Sequence, residues 1–348
     1  MAELPTDVSI ELASSEAAKA SRRPAISPAT LHKLSALLTL WVLIGAFSFG
    51  SPAFLSVNNG LTVLLQTAVI GLLGIGMTLV IITGGIDLSV GSVLALSGTV
   101  AGLSIKAGIP VVPAMALGVA AGAACGVFNG LVVTKLRITP FVATLGMMLI
   151  ARGLALQLTG AAPISRLGDA FGVLGNGALF RVVEMQANGF PKVIFPGIPY
   201  PAILLAVIAV IAAVLLNKRP LGRHIVATGS NEEAARLSGV RTDRTKIAAY
   251  TLSGALAGLS GIVLMSRLVT VQPNEGVMYE LDAIAAAVIG GASLMGGVGN
   301  ISGTMIGAFI IGVLRNGLNM AGVSSFIQQI VIGFVVIGAV YVDQLRRK

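Results

Sequence analysis

Residues 217–246 read NKRPLGRHIVATGSNEEAARLSGVRTDRTK, and this polar stretch determines how the second half of the chain is organised. It lies between two apolar runs, 201–216 and 247–265. Seven of the 23 Lys and Arg residues of the chain fall within it. A basic segment between two apolar runs is typical of a loop that joins two membrane spans on one side of a bilayer.

The same stretch contains the signals of a short helix. Ser230-Asn231-Glu232-Glu233 matches a capping box, in which the Ser230 hydroxyl accepts from the Glu233 N–H and the Glu233 carboxylate reaches back to Ser230. Gly239 is suited to end the helix in the left-handed conformation. The pattern therefore predicts a helix of about two turns over 231–238.

A helix this short is marginal in water, because nucleation is costly and few hydrogen bonds follow it. We therefore expect it to dock onto another surface. Ala234 and Ala235 are small enough for a partner to approach closely, while Glu232, Glu233 and Arg236 supply polar contacts at the rim. The predicted docking residues are Ser230, Asn231, Glu232, Glu233, Ala234, Ala235, Arg236, Leu237 and Gly239.

Composition places the chain in a membrane. Apolar residues make up 55% of the 348 positions, charged residues only 11%, and the mean hydropathy is +0.93. Soluble domains carry roughly 25% charged residues. The net charge of +9 does not indicate nucleic-acid binding, because the basic residues cluster beside apolar runs. The single cysteine, Cys125, allows no intrachain disulfide.

Segments of about 20 apolar residues predict an all-α polytopic membrane protein with about ten transmembrane helices. The predicted spans are roughly 33–50, 61–82, 88–105, 111–133, 139–158, 200–217, 247–266, 281–297, 301–320 and 326–342. Glycines interrupt 83–105 and 281–300, so either segment is re-entrant or crosses fully. Residues 1–30 form a polar tail whose composition predicts disorder at least to Arg23, and 31–345 form one transmembrane domain.

Loop charge predicts the orientation. With the N-terminus inside, 16 Lys and Arg residues lie in cytoplasmic segments and five in external ones. This asymmetry, together with an even number of spans, predicts that both termini and the 217–246 loop are cytoplasmic. The Gly- and Pro-rich segment 160–199 is then external, and we expect it to form a cap or a short helix on the bilayer surface.

Four glycines predict a helix-packing seam. Gly118, Gly122, Gly126 and Gly130 recur every four residues and so share one face of a helix. Small residues let helix backbones approach closely in lipid, where the hydrophobic drive between helices is weak. A packing role is the preferred interpretation.

Polar residues inside apolar segments are costly and often functional. Asp87 follows Thr83-Gly84-Gly85 and opens a predicted helix, where the helix dipole favours a carboxylate. A capping role and a role in a transport path or proton relay both remain open for it. Asp282 also begins a span, and Arg152 lies near the middle of one, where we expect it to face the bundle interior or a pore. The structural or pathway candidates are Asp87, Arg152, Asn129, Asp282 and Asn316, with Arg315 as a further charge within a span.

Motifs for catalysis or metal binding are missing from the sequence. His32 and His224 are far apart, and the chain has no CxxC, HExxH or GxxxxGK[ST] pattern. Nearly all carboxylates lie in loops or at helix ends, whereas ion-coupled transporters commonly carry acidic groups at mid-membrane. The alternative is an ion-coupled secondary transporter or channel that uses Asp87. An intramembrane enzyme would need a paired nucleophile and base.

Glu233-Ala234-Ala235, followed by Gly239, resembles the EAA-x-x-x-G signature of ABC-importer permeases. Longer stretches are similar to the ribose-type monosaccharide permease family and together cover about residues 50–342. These stretches are GMTLVIITGGIDLSVGSVLALSG (76–98), ITPFVATLGMMLIARG (138–153), GRHIVATGSNEEAARLSGV (222–240) and YELDAIAAAVIGGASLMGGVGNISGTMIGAFIIGVLRNGLN (279–319). The longer N-terminal tail and the missing distal part of the signature are departures.

The resemblance implies a cobalamin-importer-like (type II) permease fold in the bacterial inner membrane. It implies that the 231–238 helix is the coupling helix that docks on a separate ATPase subunit, which uses ATP and Mg while this chain binds no cofactor. Further implied partners are a periplasmic sugar-binding protein and a second permease, either a copy or a paralogue, in contact with membrane lipid. Ribose is the first expected substrate, with xylose, galactose, polyols such as erythritol and a furanosyl autoinducer also open.

Overall fold

The computed structural model describes residues 28–185 and 191–345, and thirteen α-helices hold most of these residues. In chain order the helices are α1 (Pro28–Gly50), α2 (Val57–Ile82), α3 (Val90–Lys106), α4 (Val111–Lys135), α5 (Pro140–Thr159), α6 (Asp169–Asn176), α7 (Tyr200–Lys218), α8 (Pro220–Ser230), α9 (Glu232–Leu237), α10 (Thr242–Leu268), α11 (Tyr279–Ile289), α12 (Ile301–Met320) and α13 (Ser325–Leu345). A 3-10 helix, Pro52–Leu55, follows α1. The predicted disorder over 1–30 concerns mainly residues 1–27, which lie outside the described residues.

Seven of the described helices are long and apolar enough to cross a membrane, namely α1, α2, α4, α5, α7, α10 and α12. Among the described residues, α3 and the Ser325–Gly338 part of α13 are shorter apolar helices. The prediction of an all-α polytopic membrane protein is confirmed.

The segment after α10 is the main departure from the predicted spans. The sequence predicts a span over 281–297, but α11 ends at Ile289. Eleven residues rise about 16 Å, about half of a hydrocarbon core of roughly 30 Å. Gly290 and Gly291 follow the helix, and Gly291 has φ +94°, which continues no right-handed helix. A single crossing helix over 281–297 is therefore not formed, because a loop replaces its second half, and of the two alternatives for this segment the re-entrant one is compatible with the structure.

Two helices form the centre of the bundle. α2 is buried along most of its length, and α10 is buried from Ser260 through Ser266. In contrast, α1, α4, α5 and α7 expose many large apolar side chains, such as Trp41 and Ile211. Outward apolar surface of this extent is what a bundle needs when lipid surrounds it.

The glycine seam of α4 is confirmed. A Cβ at Gly122, Gly126 or Gly130 would lie less than 3.0 Å from backbone atoms of α10, and one at Gly118 would meet α3. Backbone atoms cannot move aside as side-chain tips can. The four-residue spacing therefore lets α4 and α10 pack in direct backbone contact.

The 160–199 segment forms a cap on the C-terminal end of α10, as far as residues 160–185 and 191–199 show. It contains α6 and four short strands: β1 (Ala178–Leu179), β2 (Val182–Met185), β3 (Pro191–Phe195) and β4 (Ile198–Pro199). β1 pairs with β4 and β2 with β3, both antiparallel. The Ser266 hydroxyl accepts from the Gly175 N–H at 2.7 Å and donates to the Phe171 carbonyl, so α6 is fastened to α10.

Candidate functional site

The short helix of the polar loop forms close to where the sequence places it. α9 spans Glu232–Leu237, against a predicted 231–238. The cap differs: the Asn231 side chain accepts from the Ala234 N–H at 2.9 Å. Ser230 instead ends α8 and donates to the Val226 carbonyl at 2.9 Å, so the predicted capping box is wrong. Asn231 is an equally good N-cap residue, and it takes the position because α8 continues through Ser230.

The end of α9 follows the prediction. Gly239 has φ +86°, the left-handed conformation that terminates helices. The Gly239 N–H donates to the Arg236 carbonyl, and the Val240 N–H donates to the Ala235 carbonyl. These bonds satisfy carbonyls that the end of the helix would otherwise leave open. Both ends of this six-residue helix are therefore fixed by the chain itself.

The two faces of α9 are distinct. Ala235 is buried within this chain, so the expectation that it leaves room for a partner is wrong. Ala234 lies on the exposed side, and Leu237 is 84% exposed. Folding of this chain alone buries almost none of the apolar surface of such a leucine, so the side chain contributes little to the stability of the isolated chain. The outward face of α9 thus presents Ala234, Leu237 and the exposed Glu233.

Charge pairs hold α9 against the start of α10. The Glu232 carboxylate contacts Lys246 of α10 at 2.6 Å and Arg236 of α9 at 3.5 Å. The Lys246 side chain is mostly buried, so its ion pair with Glu232 should stabilise the fold more than a fully exposed pair would. Glu232 therefore orients α9 within this chain, whereas the sequence assigned it to the rim of a partner contact.

Sequence reasoning missed α8, the helix just before α9. Its signal is Pro220, which occupies the first turn and follows Arg219. Near its C-terminus Gly229 leaves no room for a side chain against the Ile82 carbonyl at the end of α2. The Gly297 N–H donates to that same carbonyl at 2.8 Å. The α8–α9 junction therefore touches both glycine-rich breaks of the chain, at 83–89 and 290–300.

A cleft of about 900 Å³ lies beside α9. Its walls are the turn between α4 and α5 and the first turns of α10. The cationic side chains on the walls are Lys135, Arg137, Arg236, Arg241, Arg244 and Lys246, against two carboxylates, Glu232 and Asp243. Lys135 pairs with Asp243 at 2.8 Å, whereas Arg137, Arg241 and Arg244 form no ion pair within residues 28–185 and 191–345. The cleft is thus a basic surface adjoining the exposed face of α9.

Asp87 is buried in a network of neutral donors. One carboxylate oxygen accepts from the Ser89 N–H at 3.1 Å and hydroxyl at 2.6 Å, and the other from the Ser253 hydroxyl at 2.9 Å. Asn129 of α4 donates to the Ser89 hydroxyl at 2.9 Å. The carboxylate therefore binds Ser89, the residue before α3, and links the 83–89 break to α10, while Ser89 links the same break to α4. The capping and transport-path interpretations of Asp87 both stay predictions.

Asp282 lies in the first turn of α11, and a guanidinium neutralises it. Both of its carboxylate oxygens accept from Nη2 of Arg315, at 2.8 and 2.7 Å. This contact joins α11 to α12. Asn316, the next residue of α12, is buried, and its side-chain oxygen has no hydrogen-bond partner among the described groups.

Arg152 is partly buried, and its guanidinium binds backbone carbonyls of a neighbouring segment. Its Nη1 donates to the carbonyls of Pro273 and Glu275, the latter at 2.8 Å. These carbonyls belong to the connection between α10 and α11. The structure thus assigns these candidates to three separate contacts: Asp87 with Ser89, which also binds Asn129; Asp282 with Arg315; and Arg152 with the α10–α11 connection. Within the described residues no group of three His, Cys, Asp or Glu side chains is placed to hold a metal ion.

Comparison with known proteins identifies the family. Residues 59–340 match the family model for the permease component of the branched-chain amino acid transport system. The chain is 46% identical to a ribose import permease protein of Bacillus subtilis (strain 168), over 90% of this chain and 93% of the relative. It is 43% identical to a ribose import permease protein of Escherichia coli (strain K12), over 94% of this chain and 98% of the relative.

Relatives for other sugars are similar over the same region. The chain is 37% identical to a D-allose transport system permease protein of Escherichia coli (strain K12), over 91% of this chain and 93% of the relative. No solved structure matches the chain. The family match, which covers most of the chain and includes the α8–α10 region and both glycine-rich breaks, shows that this protein belongs to the branched-chain amino acid transport system permease family.

Proposed function

We propose that this chain is the membrane-spanning permease subunit of an ATP-binding-cassette importer for a monosaccharide. The relatives named above act on ribose and D-allose, and others are named for xylose. Ribose is the first substrate to test, because the ribose permeases are the relatives with the highest identities among those compared. The chain forms the path through the membrane and leaves ATP hydrolysis to a separate subunit.

The observation that carries this proposal is the exposed face of α9. A capped, six-residue helix displays Leu237 to the outside while Ala235 and Glu232 hold it to its own chain. Such a helix is only marginally stable in isolation. Contacts on both of its faces are therefore needed to keep it folded. An apolar side chain on the open face fits a groove on a partner protein.

The surroundings of α9 support an ATPase as that partner. The basic cleft beside it attracts an acidic surface and speeds encounter with it. The α8–α9 junction contacts the end of α2 and the 290–300 loop. A partner that moves on binding ATP and Mg therefore pushes α9 as a rigid element and displaces both breaks, in a shear or hinge transition.

The remaining partners follow from the orientation. The charge asymmetry supports a cytoplasmic position for α8, α9 and both termini and an external position for the α6 cap. A periplasmic binding protein delivers the sugar to the cap side of the bundle. A second permease, identical or paralogous, covers part of the exposed apolar surface, and lipid of the inner membrane covers the rest.

Substitution of Leu237 by Glu tests the coupling role. A charge placed in a desolvated contact costs about 2 kcal/mol or more, so recovery of the ATPase in a pull-down should fall at least about tenfold, and ATP-dependent uptake with it. Membrane levels should stay normal, because Leu237 is 84% exposed and its loss removes little packing within this chain.

The matched control is Val183→Glu, which places the same charge on an exposed apolar position of β2. It should leave recovery of the ATPase unchanged. Equal recovery for Leu237→Glu and the control would remove α9 from the coupling role. Ala235→Glu does not serve this purpose, since Ala235 is buried within the permease itself.

A further inference from the structure

A cavity of about 240 Å³ lies between α2, α10, α11, α12 and α13. Its polar lining consists of Gln66, Arg267, Asp282, Arg315, Asn319 and Gln328. Val69, Ile70 and Leu264 form an apolar wall, and the ring of Tyr279 lies among them. None of the contacts attributed to the ATPase involves these residues.

The cavity is at the end of the bundle that carries the cap. Arg267 and Asn319 lie at the C-terminal ends of α10 and α12, and Gln66 lies in the N-terminal half of α2. The Arg267 carbonyl accepts from Asn176 of α6 at 3.1 Å, which ties this end of α10 directly to the cap. The cavity is therefore on the opposite side of the bundle from α9.

The charges in the lining compensate one another in part. Both oxygens of Asp282 accept from Nη2 of Arg315, so the carboxylate presents no unbalanced charge. Arg315 is about a third exposed, and no described group accepts a hydrogen bond from its other nitrogens. Gln328 is buried, and its Nε2 donates to the Val323 carbonyl at 2.8 Å, which fixes the orientation of its amide.

We propose that this cavity is a receiving site for one neutral monosaccharide on its way into the membrane. The inference rests on the proposed function and adds to it the place where the permease itself contacts the sugar. A sugar hydroxyl both donates and accepts hydrogen bonds, and amide side chains offer both capacities within one planar group. The paired carboxylate and guanidinium add an acceptor and donors without selecting for a charged ligand.

The size and the walls of the cavity favour one sugar ring. Its volume corresponds to about eight water molecules at roughly 30 Å³ each. The Tyr279 ring and the apolar wall can cover the C–H face of a sugar, while the polar groups meet its hydroxyls. A disaccharide would extend beyond these contacts.

A protection experiment tests the proposal. Gln66→Cys is introduced with Cys125→Ala into the complete importer in right-side-out vesicles, and its modification by a membrane-impermeant thiol reagent is timed. D-ribose, D-xylose or D-allose should slow the modification several-fold. Glycine at equal concentration should not. The matched control, Ser165→Cys on the exposed external segment, should react at the same rate with and without sugar.

A second pair of variants tests whether protection depends on a cavity side chain or changes after any amide is removed nearby. In the Gln66→Cys background, Asn319→Ala should raise the sugar concentration needed for protection up to about tenfold, as expected for one lost hydrogen bond. Gln329→Ala, an exposed amide next to the lining residue Gln328, should not raise it.

The outcomes distinguish this inference from the proposed function. No modification of Gln66→Cys from outside, or modification that none of the three sugars slows, would overturn the receiving site. Equal slowing by glycine would also overturn it. ATP-dependent uptake of a sugar by the same vesicles is measured in parallel, so that uptake without protection rejects only the cavity. Vesicles that hold the assembled ATPase but take up none of the sugars contradict the proposed function instead.

Discussion

Asp87 and Asp282 are equally hidden, each 1% exposed, but the protein stabilises them in opposite ways. Asp87 is held by Ser89 and Ser253, all of whose donors are neutral. Asp282 is held by the Arg315 guanidinium. The first carboxylate therefore depends on several weak donors from distant segments, and the second depends on one strong partner.

The comparison explains what each carboxylate can contribute. The Asp87 network joins the 83–89 break to α4 and α10, close to where α8 contacts the end of α2. This network holds the three segments together, and its contribution to stability should fall stepwise as hydrogen-bond donors are removed. The Asp282–Arg315 pair borders the cavity at the opposite end of the bundle. Removal of one member there leaves a charge without a partner.

The largest expected effect is that of Arg315→Met. It leaves Asp282 buried without a counter-charge, which should cost about 3 kcal/mol and lower the unfolding temperature of the detergent-purified permease clearly. Arg267→Met is the control, because Arg267 lines the same cavity and forms no ion pair in the described chain. The double variant Asp282→Asn with Arg315→Met should be more stable than Arg315→Met alone, because it no longer contains a buried carboxylate without a counter-charge. Equal stability of Arg315→Met and Arg267→Met would show that the pair does not hold α11 to α12.

Asp87→Asn should have an intermediate effect. The amide oxygen can still accept one of the donors, so the loss should be about 1 to 2 kcal/mol. ATP-dependent uptake should remain measurable, since the carboxylate acts as a structural acceptor. The exposed Asp169→Asn variant is the control for the chemical change. Uptake that follows an imposed pH gradient without ATP, and disappears in Asp87→Asn, would instead support an ion-coupled transporter.

Ser253→Ala should have the smallest effect of the three. It removes one neutral donor at 2.9 Å and leaves the two from Ser89, so about 1 kcal/mol or less should be lost. The exposed Ser324→Ala variant should change nothing measurable. A loss in Ser253→Ala as large as that in Asp87→Asn would mean that the link to α10 alone accounts for the role of Asp87.

The sequence determined those features that depend on neighbours along the chain. Nine of the ten predicted spans correspond to helices, because lipid requires about 20 apolar residues in a row and leaves a strong local pattern. The α9 helix and its Gly239 terminus follow from capping chemistry within a few residues. The glycine seam of α4 follows from helical spacing alone.

Only the tertiary structure decided which groups meet across long separations. Asp282 and Arg315 are 33 positions apart, and Asp87 and Ser253 are 166 apart. No local pattern encodes such a pairing, because it depends on how whole helices pack. The same holds at short range for α9. Ser230 and Asn231 are both competent caps, and the packing of Gly229 against α2 extends α8 through Ser230 and so selects Asn231. That choice turns Ala235 inward and Leu237 outward, which periodicity over six residues could not determine.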